Sequence, residues 1–296
     1  MTMKRREFLE KSATVLAAMS TGRALALTSG SPADTPAIAA VQGKAVPPTL
    51  DAAINAVGGM KTIVRRGDKV VLLPNPQGSR PGVSTSPELL AALVSRCLEA
   101  GAAEAVVASA HGPGRWYSTG IIEAVEKAGG KMLYPRSDGD WVEAPVPRGQ
   151  RLKKATIIRR ALENDVLIDV PIVKQHDSTR ITCTMKNLMG FNADNGSFHR
   201  SDDYLDHAIA DLASLITPKL CVVDAITILT ENGPFGPGRT VSPRQVVAGT
   251  NMVSVDAYCC RFLDLDPKEA GHIRIAAEMG LGELDVARLK IFESKI

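Results

Sequence analysis

Apolar positions along this chain switch repeatedly between helical spacing and short continuous runs. Leu50 to Val64 has amphipathic spacing and predicts a helix ending near Arg65-Arg66-Gly67. Lys69 to Pro74 then reads as a buried strand, closed by the turn-rich Asn75-Pro76-Gln77-Gly78. Ser86-Pro87-Glu88 opens the next helix with a capping serine and a proline at its first position, and Glu99-Ala100-Gly101 closes it. Glu104 to Ala110 predicts a strand, Thr119 to Lys127 a helix, and Lys131 to Tyr134 another strand. Strand and helix alternate, so the expected fold is α/β: a Rossmann-like three-layer sandwich with a mainly parallel sheet.

The second half continues less regularly. Trp141 to Pro147 predicts an extended edge or hairpin segment, and Lys154 to Glu163 a helix. Val166-Leu167-Ile168 and Val170 form the apolar run of a strand buried on both faces, interrupted by Asp169. Asp203 to Leu215 has helical spacing, Leu220 to Val223 is a buried strand ending at Asp224, and residues 230–239 form a Gly/Pro loop. Val246 to Gly249 predicts a strand. Ser254 to Leu263 predicts a helix with Asp256 in its first turn, where the helix dipole favours an acid. Lys268 to Met279 is a further helix, and Arg288 to Phe292 a closing strand.

The first residues do not fit this pattern. Lys4-Arg5-Arg6-Glu7-Phe8-Leu9, the apolar stretch Ala13 to Met19 and Ala24-Leu25-Ala26 have the layout of a secretory signal. Arg5-Arg6 followed by Phe8-Leu9 is of the twin-arginine type, which makes the export machinery an expected partner and the periplasm or cell exterior the expected location. The expected division is a signal over 1–26, a linker over 27–48 and a single α/β domain over 49–296. Removing residues 1–26 takes away five Lys/Arg and two Asp/Glu, leaving 30 basic and 30 acidic side chains. The apparent +3 therefore belongs to the leader. No nucleic-acid partner is expected from such a balance. No apolar run approaches the ~20 residues of a membrane span, so none is expected after cleavage.

Chemistry concentrates between Asp165 and Phe191. Lys174, His176, Asp177, Arg180, Thr182, Lys186 and Asn187 follow the apolar strand within a short stretch past its carboxyl end. In open α/β sheets ligands bind at that end. Asn75 to Arg80 and His111 to Trp116, also at strand ends, are candidate walls of the same pocket. Lysines, an arginine and an amide suit a small anionic molecule such as a carboxylate or phosphate. The expected binding set is Arg180, Lys186, Asn187, Asn75, Asn232 and Arg239. The expected catalytic set is His176, Lys174 and Asp224, with His176 as acid/base and Asp224 as its orienter or counter-base. A solvated strand-end loop would carry some of these charges without any function. A second reading joins His176, His199 and His207 with nearby aspartates into a site for a divalent metal. A third is ligand binding without catalysis. No GxGxxG or Walker-type loop occurs. The five cysteines show no CxxC spacing, so no iron–sulfur cluster is expected, and the adjacent Cys259 and Cys260 read as inert helix thiols.

The motifs DVLIDVPIVKQH, TMKNLMG, VVDAITILTENGPFGPG and SVDAYCC, in this order, resemble the domain-of-unknown-function family numbered 362. Lys174-x-His176 and Lys186-Asn187 are its most specific matches, with Asp224, Gly233-Pro234 and Asp256 matching later signatures. The resemblance covers roughly Gly67 to Ile291. It implies no particular activity. Many members of the family carry a ferredoxin-like module with cysteine clusters; this chain has no such clusters and resembles the exported, single-domain subgroup.

Overall fold

In the computed structural model, which describes residues 35–296, β1 (Ile38–Gln42) is followed by α1 (Val46–Ala56) and the short α2 (Met60–Ile63). Gly58 and Gly59, both at positive φ, break what the spacing predicts as one helix over Leu50 to Val64. Next come β2 (Lys69–Pro74), α3 (Pro87–Glu99), β3 (Glu104–Ala108), α4 (Ile121–Lys127) and β4 (Lys131–Leu133). Ser86 caps α3 by accepting from Leu89 N. The chain continues through β5 (Trp141–Pro145), β6 (Lys154–Ile158), β7 (Val166–Val170), β8 (Lys174–His176), β9 (Arg180–Thr182), α5 (Thr184–Asn187) and α6 (Asp202–Leu215). It closes with β10 (Leu220–Ala225), β11 (Ile228–Leu229), β12 (Thr240–Val241), β13 (Gln245–Gly249), α7 (Met252–Cys259), α8 (Gly271–Glu278) and β14 (Ile291–Lys295).

Eight strands form one sheet in the order β14-β1-β13-β10-β7-β2-β3-β4. The five from β10 to β4 are mutually parallel, β1 and β14 are parallel to each other, and β13 runs antiparallel to both its neighbours. The fold is therefore α/β with a mainly parallel sheet. Alternation along each strand sorts side chains between two cores. Val70, Leu72, Ile168 and Val170 pack with Leu50 of α1 and Leu89, Leu90 and Leu93 of α3. Val71, Leu73, Leu167 and Val223 pack on the other face with Leu205, Ile209 and Leu212 of α6 and Val255 of α7. Each such buried side chain contributes about 2 kcal/mol.

From β2 the chain runs outward to β3 and β4, whereas β7 leads the other way to β10. The neighbours β2 and β7 therefore form the switch point of the sheet, where loops diverge and leave a crevice.

Three further expectations change. Lys154 to Glu163 is not a helix. Lys154–Ile158 pairs antiparallel with Trp141–Pro145, and only Arg159–Ala161 makes a single 3-10 turn. The run Thr156-Ile157-Ile158 is β-branched, which favours a pleated surface over a helix. The linker over 27–48 is also displaced, because Ile38–Gln42 lies inside the sheet between β13 and β14, and the compact unit begins at Pro36. Its run IAAVQ is too alanine-rich for a strong strand pattern. Asp256 lies past the first turn of α7 and serves a different helix, as described below. The expected signal over 1–26 lies outside the described residues. Among the described residues no helix is long and apolar enough to cross a membrane.

Candidate functional site

The crevice beyond the carboxyl ends of β2, β3 and β7 is a cavity of about 410 Å³. β2 delivers Asn75 and Gln77, and β3 delivers His111 and Arg115. The chain after β7 turns at Pro171 into the hairpin of β8 and β9, which contributes Lys174, His176 and Thr182. α5 adds Lys186 and Asn187, and the loop 230–239 adds Pro234 and Phe235 at the mouth. That loop approaches β8 so closely that a Cβ on Gly233 would lie 1.8 Å from Gln175 O. Only glycine fits there.

A polar ladder fixes the inner wall. Asn187 Nδ2 donates to Leu73 O at 2.9 Å and to Asp169 Oδ1 at 2.7 Å, while its Oδ1 accepts from Asn75 Nδ2 at 2.9 Å. Asn75 Oδ1 in turn accepts from Lys174 Nζ at 3.0 Å, and Val83 O accepts from the same amine at 2.6 Å. Beneath the site, burial pushes the Asp169 carboxyl well above the usual range. Asp256 reaches across from α7 to accept from Thr184 N (2.7 Å), Thr184 Oγ1 (2.6 Å) and Met185 N (3.0 Å). It caps the short helix that carries Lys186 and Asn187.

The cavity is electropositive but holds the imidazoles of His111 and His176 neutral. Burial, then the Lys186 and Arg115 charges, lowers Lys174 from 10.5 to about 7. Burial lowers Lys186 to about 8 against the pull of Asp177 and Asp206. Its ammonium has the thioether of Met189, at 3.3 Å, as hydrogen-bond acceptor. Burial, followed by the lysine Lys186, lowers His176 to about 3. Ser178 N and Thr179 N both donate toward His176 Nδ1, at 3.2 and 3.4 Å, which places the ring proton on Nε2. Asp177 Oδ1 also stands 2.9 Å from Nδ1, but that side chain is 71% exposed and accepts from Ser178 N, so the ring stays neutral. Burial, then Arg115, lowers His111 to about 4. Gln77 Nε2 lies 3.2 Å from His111 Nε2, Ser109 Oγ 2.8 Å from its Nδ1, and Ser109 Oγ donates to Gly190 O. With the amide donating, His111 donates its Nδ1–H to Ser109 Oγ and is locked as the opposite tautomer from His176. Thr182 Oγ1 is buried in the lining without a hydrogen-bond partner.

Of the residues expected from sequence, Lys174, His176, Lys186, Asn187, Asn75 and His199 line this cavity. Asp224 does not. Its carboxylate accepts from Ser86 N at 2.7 Å and Ile226 N at 2.9 Å, and so ties β10 to the start of α3. Arg180 is exposed and pairs with Glu269 at 2.9 Å, and Arg239 is exposed and pairs with Glu231 at 3.1 Å. Asn232 donates to Pro237 O within its own loop. These three hold the surface rather than the cavity. His207 is likewise outside the lining, with Nδ1 bonded to Asp203 O at 2.8 Å. Among the described residues no group of three His, Cys, Asp or Glu could hold a metal ion, so the donor set expected from His176, His199 and His207 does not assemble. All five cysteines are buried and free.

His111, Arg115, Gln77 and Phe235 also face the cavity, although the sequence pattern does not single out their side chains. Their loops are legible as pocket walls, but which side chains face inward depends on the turn geometry.

The family described as Domain of unknown function (DUF362) matches residues 70–261. The thylakoid-associated protein sll1697 of Synechocystis sp. is 27% identical over 255 residues, covering 79% of this chain and 74% of that protein. The solved lactate racemase apoprotein from Thermoanaerobacterium thermosaccharolyticum superposes with a TM-score of 0.44 at 14% identity. That match covers 79% of this chain and spans 58% of the racemase chain.

Proposed function

The chain belongs to the DUF362 family, and from that premise we propose that it binds a small anionic molecule, a carboxylate or phosphate, in the cavity between β2 and β7. One observation carries this reading: Lys174, Lys186 and Arg115 converge on a lining whose one carboxylate, Asp177, points into solvent at the rim. Buried amines facing a pocket without a carboxylate partner are costly. An anionic ligand offsets that cost with charge-assisted hydrogen bonds. The unpartnered Thr182 hydroxyl supports the same reading, because it leaves a donor in the lining available to a ligand oxygen.

The neutral His176 ring, with its proton on Nε2, supports proton transfer on the bound molecule as a second role. Residues 1–26 we assign to twin-arginine export. Replacing Arg5 and Arg6 together by lysine should retain the protein in the cytoplasm.

The binding reading is tested by melting shifts against carboxylates, phosphates and neutral analogues. A ligand at 100-fold its Kd stabilises by about 2.7 kcal/mol. Anions should shift the transition and neutral analogues should not, and Lys186→Met should abolish the shift. Equal shifts from neutral and charged compounds would sink this reading.

A further inference from the structure

The two cavity lysines stand in unlike surroundings. Lys174 is 1% exposed, and two oxygens already accept from its Nζ, Asn75 Oδ1 and Val83 O. A neutral primary amine has two N–H bonds and one lone pair. With both N–H bonds engaged, the remaining tetrahedral position of Nζ is the lone pair, on a residue that forms part of the cavity wall. Asn75 is itself held by Asn187, so this orientation is enforced from behind. Lys186 has a thioether acceptor instead and is the better-placed free cation. Directly across the hairpin, Thr182 pairs in register with Lys174, which puts both side chains on one face. The Thr182 hydroxyl is one of four buried side-chain polar atoms without a hydrogen-bond partner among the described residues, and it lies in the cavity lining.

We propose that Lys174 captures the carbonyl carbon of a small 2-oxo carboxylate as a Schiff base, with Lys186 and Arg115 holding the carboxylate and Thr182 donating to the carbonyl oxygen. This rests on the anion-binding reading and names its substrate class. The Nζ lone pair attacks the carbonyl carbon as the C=O π pair moves onto oxygen. One amine proton passes to that oxygen to give the carbinolamine. The oxygen then leaves as water with the second amine proton, and the nitrogen lone pair closes the C=N bond. The imine takes up a solvent proton, and nothing is oxidised or reduced. A hydroxyl aimed at the oxygen stabilises the charge that develops there. A desolvated lysine beside a second cation is the recognised setting for such a nucleophile. With its conjugate acid near 7 against 10.5 for an exposed lysine, Lys174 offers on the order of 10³ more neutral amine at pH 7.

The experiment incubates full-length protein with glyoxylate, pyruvate or 2-oxoglutarate and sodium cyanoborohydride at pH 7, followed by peptide mass mapping. The expected result is one reduced adduct on the Lys174 peptide, at least about tenfold above any exposed lysine given that difference in neutral amine. Lys174→Met should remove it, and Thr182→Val should slow its formation. The absence of an adduct at Lys174 in the unaltered protein, or its location on Lys186, overturns the proposal whatever the variants do. Acetate and phosphate binding, measured by calorimetry, separates the two levels. Binding without an adduct refutes the imine and leaves the anion site standing; neither binding nor adduct refutes both.

Discussion

Replacing Lys174 by methionine should make the effect on stability swing with pH, and the swing can be worked from the site. Methionine keeps most of the apolar stem and removes the amine. In the folded protein the conjugate acid of Lys174 lies near 7, because burial and the charges of Lys186 and Arg115 oppose the ammonium. In the unfolded chain it lies near the ordinary 10.5. Between those two values the unfolded state holds more protons, so stability rises with pH across that window; below it both states are protonated and the full cost of the buried ammonium is present. From about pH 6.5 to about pH 9.5 this linkage amounts to about 3 kcal/mol. The variant lacks that contribution. Against the unaltered protein, Lys174→Met should therefore be more favourable at pH 6.5 than at 9.5 by about 3 kcal/mol. The constant loss of its bonds to Asn75 Oδ1 and Val83 O is superimposed at every pH. Urea unfolding of both proteins at several pH values in an anion-free zwitterionic buffer measures the difference. A difference that does not change with pH, or that grows in the opposite direction, would refute the reasoning about the buried amine.

Other consequences follow from the same geometry. Affinity for an anion should fall as pH rises through about 7 and about 8, where Lys174 and Lys186 lose their protons, and calorimetry near pH 7.5 should register proton uptake on binding. Acid should destabilise the fold below about pH 6.5, because the unfolded imidazoles protonate there while His111 and His176 resist until about 4 and about 3; exchanging both for asparagine should flatten that limb of the stability curve. Asp256→Ala leaves two buried N–H groups without their acceptor and the Thr184 hydroxyl with only its longer bond to Met252 O, and should cost about 3 kcal/mol in urea unfolding and loosen Lys186. Arg180→Ala, Arg239→Ala and His207→Ala should each leave anion binding unchanged and alter stability by less than about 1 kcal/mol. Gly233→Ala should weaken binding while the sheet persists, because its Cβ would drive the loop 230–239 away from Gln175.

Much of the layer architecture is encoded locally. The runs at β2, β3, β7, β10 and β13 are continuous because both faces are covered, and that pattern needs no knowledge of their partners. Caps such as Ser86-Pro87 mark helix starts for equally local reasons. Lys174, His176, Lys186 and Asn187 were legible because polar groups crowd the end of a buried strand. What failed was pairing at a distance. Thr156-Ile157-Ile158 reads as part of a helix until Trp141–Pro145 offers a strand to pair with. Asp224 looks like a site carboxylate until Ser86 N and Ile226 N claim it. The histidine trio dissolves because His207 turns back onto its own helix.

The sequence by itself determined the alternation of elements, the strand ends at which polar side chains gather, and the residue types on which the anion proposal rests. Periodicity and composition act over a few residues and survive without the fold. Tertiary structure decided which groups share the cavity: His111 and Arg115 from β3 stand beside Lys174 from the β8–β9 hairpin and Lys186 from α5. It also decided their protonation, since burial lowers both lysines, the charges of Lys186 and Arg115 lower Lys174 further, and burial with nearby cations keeps the rings of His111 and His176 neutral. Desolvation and charge proximity depend on three-dimensional distance, which no local pattern carries.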